Sequence, residues 1–183
     1  MKFLATPLSL LALLTSLTTF SQTSLASVNN DLLKKTIIRS TEESQIHKTL
    51  LAAVKAADLE ETLAGDGPFT IFAPSDGAFK KMSEDKIAAL LRPENKRALQ
   101  SFVTYHIVAG NLTASKILKA MCRGKGIASL TTVQGNELLA TMDGLDIILT
   151  DCFGNIARIT SADANQSNGV IHVIDSVILP NQL

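Results

Sequence analysis

The sequence has few of the side chains that carry out most enzymatic chemistry. Among its 183 residues are three histidines, one tyrosine and two cysteines. A serine hydrolase would have to use Ser75 with a histidine and an aspartate, but no G-x-S-x-G sequence surrounds that serine. Ser75 and Asp76 instead follow a short strand-like run, where their side chains are suited to cap a helix. No catalytic triad is predicted.

The spacings typical of metal sites are lacking as well. No H-x-H, H-E-x-x-H or paired cysteine–histidine pattern occurs. His106 and His172 lie in separate parts of the chain, and a fold that brought them together could still form a site. The sequence assigns no metal and no cofactor, and we expect the protein not to be an enzyme.

Neither an excess of charge nor a membrane-spanning run is present. The 17 basic residues balance the 17 acidic ones, and no basic stripe is visible along the chain. Nucleic acid and anionic membranes are therefore not predicted as partners. The longest apolar run, Leu8–Leu17, is too short to cross a bilayer, so no stable membrane insertion is expected.

The N-terminus has the pattern of an export signal. Lys2 precedes the apolar run, and Ser24-Leu25-Ala26 offers small residues at the two positions that signal peptidase reads. Residues 1–26 are predicted to be a signal peptide that is cleaved near Ala26. The mature chain is then expected to be secreted or periplasmic.

Two cysteines, Cys122 and Cys152, follow the predicted signal peptide. In an exported protein a pair of cysteines allows one intramolecular disulfide, which is our prediction. Closing that loop would stabilise the fold by about 3–4 kcal/mol through the entropy of the unfolded chain. Two free thiols and a link between chains remain the alternatives.

Hydrophobic periodicity divides the mature chain into a helical part and a strand part. Residues 27–43 form a polar lead-in, and from Ser44 apolar residues recur at helical spacing. From SLTTV (129–133) onward the runs are short and separated by glycine-containing turns, which is typical of a β-meander. This order predicts one α+β domain over residues 44–180, with a tail at 181–183.

Three motifs resemble, in the same order, the marks of the fasciclin domain. They are TIFAPSDGAF (70–79), TYHIVAG (104–110) and NGVIHVIDSVILP (168–180). The lone domain resembles the single-domain secreted bacterial members of that family. The resemblance implies two β-sheets packed at an angle with several helices on one side, and a non-enzymatic role in adhesion.

The resemblance also implies candidate contact residues. In some animal members, recognition is attributed to a tyrosine–histidine pair and to an aspartate–isoleucine pair before the last motif. Tyr105 matches the first and Asp163 the second, although Ala164 stands where isoleucine is expected. Tyr105 and Asp163 are therefore the candidate adhesion surface, and the expected partner is a cell-surface or matrix protein or glycan.

We expect the remaining polar residues of the motifs, His106, His172 and Asp175, to be structural. A buried neutral imidazole can donate a hydrogen bond from one nitrogen and accept one at the other, which ties together backbone groups that strands leave unpaired. The predicted function is thus a secreted fasciclin-like protein for cell adhesion or surface binding. The alternative is a periplasmic binder of a small molecule or lipid, which would use a cleft between the sheets and the helices.

Overall fold

A computed structural model describes residues 35–180 of the chain. The predicted signal peptide (1–26), the first part of the lead-in and the predicted tail (181–183) lie outside the described residues.

The described part contains helices first and mostly strands later, as predicted. The helices are α1 (Ile37–Glu43), α2 (Lys48–Ala56), α3 (Glu60–Ala64), α4 (Asp76–Phe79), α5 (Glu84–Leu90), α6 (Lys96–Tyr105) and α7 (Ala114–Arg123), with a 3-10 turn at Pro93–Asn95. The strands are β1 (Phe69–Pro74), β2 (Ile107–Ala109), β3 (Ala128–Thr131), β4 (Glu137–Asp143), β5 (Asp146–Thr150), β6 (Ile156–Gln166) and β7 (Gly169–Ile174).

The end of the predicted lead-in belongs to the folded domain. Thr36 begins α1 by accepting a hydrogen bond from the Arg39 N–H, and Ile37 is 1% exposed within the core. Three separate helices, α1, α2 and α3, occupy the region around Ser44. Asp58 separates α2 from α3, because its left-handed backbone conformation (φ 54°) interrupts helical winding there.

The seven strands form one continuous sheet in the order β2-β1-β7-β6-β5-β4-β3. Strands β1 and β7 run parallel, and the other neighbours are antiparallel. The two ends of the sheet approach each other, since Val108 bridges to Thr132 and the Val133 N–H donates to the Ile107 carbonyl at 2.7 Å. The sheet is therefore nearly closed into a barrel.

This arrangement corrects the expectation of two sheets packed at an angle. Strand β6 is eleven residues long, and it serves both parts of the sheet. Its first residues pair with β5, and from Ile159 onward it pairs with β7 through two register shifts. Bulges of this kind bend a strand and increase its twist, so one strand turns the corner that two separate sheets would otherwise form.

The core has two apolar clusters, one on each side of the central strands. The first joins the N-terminal helices and α6 to β1, with Leu50, Val54 and Phe102 among its members. The second packs α7 against β3–β6 and contains Ile117 and Leu138. Strand β7 lies between β1 and β6 and is buried at five of six positions, as its apolar residues on both faces require.

Candidate functional site

The three motifs lie on three neighbouring strands at one end of the sheet order. Strand β1 carries the first motif, β2 the second and β7 the third, and β1 pairs with both of the others. The Phe72 N–H donates to the His106 carbonyl at 2.9 Å. The Phe72 ring also stacks on the His172 ring, with 5.6 Å between the ring centroids. A local cluster of aromatic and imidazole rings therefore holds the motifs together.

His106 follows the last residue of α6 and is 1% exposed. Its Nδ1 lies 2.8 Å from the Phe102 carbonyl, so that nitrogen carries the proton and donates. The other nitrogen, Nε2, has no partner and borders a small cavity lined by aliphatic side chains of α2, β1 and α6. Burial lowers the pKa of His106 to about 4, which leaves the ring neutral near pH 7.

Both nitrogens of His172 have partners. The Asp163 N–H donates to Nδ1 at 3.2 Å, and Nε2 donates to the Leu112 carbonyl at 2.8 Å. The ring therefore connects β7 to the bulge of β6 and to the loop before α7. Burial lowers the pKa of His172, so this ring too is held in its neutral form.

Asp163 lies in the β6 bulge with a φ of 61°, a conformation that aspartate tolerates better than most residues. Its Oδ1 accepts a hydrogen bond from the Ala114 N–H at 2.7 Å. That amide is the first of α7, where a carboxylate is favoured by the helix dipole. Asp163 is half-buried, and its carboxylate is engaged with α7.

Tyr105 does not contribute to an exposed surface. The side chain is 0% exposed, and its hydroxyl donates to the Glu137 carbonyl at 3.1 Å. Burial raises the pKa of Tyr105 to about 12. The pairing of Tyr105 with Asp163 as a contact surface is therefore wrong for the tyrosine, because a buried ring in the second core cluster cannot touch a partner.

Asp175 links the end of β7 to β6 and to α4. Its carboxylate accepts hydrogen bonds from the Arg158 N–H at 2.9 Å and from Lys81 Nζ at 3.2 Å. Burial alone would raise the pKa of Asp175, but these hydrogen bonds outweigh burial and hold the pKa below its usual value. The carboxylate is thus ionised and paired with Lys81.

The serine and the aspartate that a hydrolase would use cap helices instead. Ser75 Oγ accepts from the Ala78 N–H at 3.1 Å, and Asp76 Oδ1 accepts from the Thr49 N–H at 2.8 Å. These bonds begin α4 and α2. Across residues 35–180, no three histidine, cysteine, aspartate or glutamate side chains lie close enough together to hold a metal ion.

The predicted disulfide between Cys122 and Cys152 is not formed. Both cysteines are free and exposed. In α7 the buried position belongs to Met121, so the adjacent Cys122 faces solvent. Cys152 follows β5 at a turn, and its Sγ lies 3.7 Å from the Leu179 carbonyl. The two side chains therefore have separate surroundings.

Two buried polar residues that hold the site together were not identified from the sequence. Asn168 accepts from the Ile37 N–H at 2.9 Å and donates to the carbonyls of Leu63 and Gly65, both at 2.8 Å. Asp151 is 5% exposed and accepts from backbone amides of its own turn and of Leu179. Each stands next to a glycine-containing turn, which is the signal that could have revealed them.

The cavity beside His106 lies where a cleft between sheet and helices was expected. Its volume is about 10 Å³, which is close to the smallest space that holds one water molecule. Larger grooves are open to solvent, and the one lined by Thr150, Ile156 and Arg158 has a volume of about 420 Å³. Neither feature encloses a small organic molecule or a lipid chain.

The architecture defines an α+β domain in which helices pack against a bent, nearly closed sheet, with a buried motif cluster where β1, β2 and β7 adjoin. The chain belongs to the fasciclin domain family, whose sequence profile matches residues 45–180. It is 42% identical to protein sll1483 of Synechocystis sp. over 79% of this chain and 73% of that protein. It is 30% identical to human periostin over 80% of this chain and 16% of periostin.

A solved structure supports the fold. A FAS1 domain pair from the insect cell adhesion molecule fasciclin I superposes with a TM-score of 0.70 over 80% of this chain and 51% of that chain, at 18% sequence identity. At that identity the likeness concerns the fold alone. Among residues 35–180, none of the helices has the length and apolar character needed to cross a membrane.

Proposed function

We propose that this protein is an exported, non-enzymatic binding module that attaches to a macromolecule of a cell surface or matrix. One observation supports the proposal above others: the motif side chains capable of chemistry are buried or used for hydrogen bonds within the fold. His106, His172 and Tyr105 are each at most 1% exposed. A domain whose motif side chains are buried presents only its outer surface to other molecules. A surface that keeps its shape is suited to binding.

The relatives point the same way. The structural neighbour from insects is named a cell adhesion molecule. Export of this chain rests on its predicted signal peptide, and a secreted protein meets cell surfaces and matrix directly. The small cavity beside His106 gives no support to binding of a lipid or small molecule.

Binding to intact cells tests the proposal. The mature chain, labelled at its N-terminus, is incubated with washed cells of the organism that produces it, and the bound fraction is measured against concentration. We expect saturable binding that the unlabelled chain competes away. Binding that stays linear and is not competed would contradict the proposal.

A matched variant separates attachment from hydrolysis. Ser75→Asn removes the hydroxyl that a hydrolase would need but keeps a side-chain oxygen that can cap α4. We expect the variant to attach to cells as the unmodified chain does. An attachment that depends on the Ser75 hydroxyl would indicate covalent chemistry and overturn the non-enzymatic account.

A further inference from the structure

Positive charge is concentrated in one stretch of the chain despite the balanced total. Between Glu94 and Glu137 there is no acidic residue, whereas six basic residues occur there. Four of the six lie on α7 or directly after it: Lys116, Lys119, Arg123 and Lys125. Acidic residues on the later strands balance this local excess in the total charge, so the expectation of no basic stripe is wrong for the segment around α7.

The structure places these four cations on the exposed side of α7, here called the α7 basic face. Lys116, Lys119, Arg123 and Lys125 are all exposed. None of them belongs to an ion pair with any residue in the described range 35–180. By contrast, the cations Lys35, Arg39 and Lys55 near α1 and α2 are all paired with glutamates.

The geometry of α7 produces a row of charges. Residues three and four apart in a helix lie on one face, so Lys116, Lys119 and Arg123 follow one line. The line is about 10 Å long, because each residue adds about 1.5 Å. Ile117 and Met121 occupy the opposite face and are buried against the strands.

Helix stability alone does not explain this row. Arg123 lies in the last turn, where a cation interacts favourably with the helix dipole. Lys116 lies in the first turn, where a cation is disfavoured, and the anion that this end of α7 prefers comes from Asp163. The positive charge at Lys116 therefore opposes the helix dipole. Its Nζ donates to the Asn111 carbonyl at 2.6 Å but faces no acidic side chain among residues 35–180, and an external anion would offset the remaining cost.

We propose that the α7 basic face docks an anionic polysaccharide, an inference that rests on the proposed function and names its partner class. Carboxylate or sulfate groups spaced along a sugar chain match a row of exposed cations, and such contacts need no deep pocket.

Three other partners fit less well. A membrane-surface helix inserts its apolar face between lipids, but the apolar face of α7 is used by the core. Residues 111–136 contain no aromatic side chain on which a nucleic-acid base could stack. A second copy is not a polyanion, because its acids and bases balance, and only local groups of exposed acids such as Glu84 and Asp85 could face α7.

Binding to dextran sulfate, with uncharged dextran as the reference, tests the proposal. The test variant is Lys116→Gln/Lys119→Gln/Arg123→Gln. The matched control is Lys80→Gln/Lys86→Gln/Arg92→Gln, which removes three exposed cations without ion pairs elsewhere in the described part of the chain. We expect the test variant to bind at least about tenfold more weakly at 0.1 M salt, and the control to change less than about twofold.

A charge-preserving variant keeps the result interpretable. Lys116→Arg/Lys119→Arg changes the same side chains but keeps their charge, so we expect it to bind as the unmodified chain does. Equal losses in the test and control triple variants would mean that binding follows net charge, which would overturn the proposal. Stronger binding to phosphatidylglycerol vesicles or to RNA than to dextran sulfate would also overturn the proposal. So would salt-sensitive dimerisation of the unmodified chain, if it accounts for the weaker dextran sulfate binding of the test variant.

The cell assay separates this inference from the proposed function. If the α7 triple variant attaches to cells as tightly as the unmodified chain, the α7 basic face is not the docking site, while the adhesive function stands. If the unmodified chain binds dextran sulfate through α7 but does not attach to cells, the proposed function fails. Loss of both activities in the α7 triple variant alone supports both claims.

Discussion

At the scale of single residues, the buried imidazoles couple the fold to pH. His106 has a pKa of about 4 in the folded protein, against about 6.5 in an unfolded chain. Because the pKa is lower in the folded protein, the neutral His106 ring contributes fully to the free energy of unfolding above pH 6.5. That contribution is lost as the pH falls toward 4. The lowered pKa values of His47 and His172 act in the same direction.

We predict that the free energy of unfolding is lower at pH 5 than at pH 7 by about 2 kcal/mol from His106 alone. Urea titrations at the two pH values measure this difference. In His106→Gln the side chain cannot become charged, so the difference should shrink by that amount. An unmodified chain that is equally stable at both pH values would contradict the burial of a neutral ring.

Asn168 makes the largest set of long-range contacts of any single buried polar side chain described above. We predict that Asn168→Ala lowers the free energy of unfolding by about 2–4 kcal/mol, because it leaves a buried N–H and two carbonyls without their partner. Asn165→Ala, at an exposed position of β6, is the control and should change stability by less than about 0.5 kcal/mol. Equal effects in thermal or urea unfolding would refute the assigned role.

The burial of Tyr105 and the role of Asn168 could not be predicted from the sequence, for one physical reason. Their partners are distant along the chain: Asn168 Oδ1 accepts from an amide 131 residues away, and the Tyr105 hydroxyl donates to a carbonyl 32 residues away. Periodicity and capping signals extend over only a few residues. By contrast, the caps at Ser75 and Thr113 were predictable because their acceptors and donors lie within three residues.

At the scale of secondary-structure elements, α7 depends on a residue of a distant strand. Asp163 supplies a hydrogen bond to the first amide of α7 and also occupies a left-handed backbone position. The two contributions can be separated by substitution. Asparagine keeps both an acceptor and tolerance of the conformation, glycine keeps only the tolerance, and alanine keeps neither.

We predict that stability falls in the order Asp163→Asn, Asp163→Gly, Asp163→Ala, with losses below about 0.5, near 1 and near 2–3 kcal/mol. Urea unfolding gives the three values, and hydrogen exchange of the α7 amides locates the effect. If glycine and alanine destabilise equally, backbone strain at Asp163 is not part of the account. If asparagine costs as much as alanine, the charge itself stabilises the helix end.

Strand β6 shows why the number of sheets was predicted incorrectly. Its alternating pattern predicts a strand, but no local signal shows that one half pairs with β5 and the other with β7. Pairing of strands depends on contacts between whole elements, as does the approach of β2 to β3. The order of helices and strands was predictable because periodicity and turn residues encode each element locally.

At the scale of the whole molecule, the fold separates a buried motif cluster from an exposed charged surface. The motifs that identify the family form three adjacent strands, and their polar groups bond to one another and to neighbouring backbone. The charge of the surface beyond them varies, with basic residues along α7 and acidic residues on the later strands. Under the proposed function, recognition of a partner falls to the surface, while the motifs maintain the scaffold.

Hydrogen–deuterium exchange of the mature chain, free and bound to isolated cell envelopes of the producing organism, tests this separation most directly. We predict that binding slows exchange in the segment 113–127, which contains the α7 basic face. Exchange at β1, β2 and β7 should be equally slow in both states, because those strands are already buried. Protection that instead appears around Tyr105, His106 and His172, with none along α7, would contradict the account.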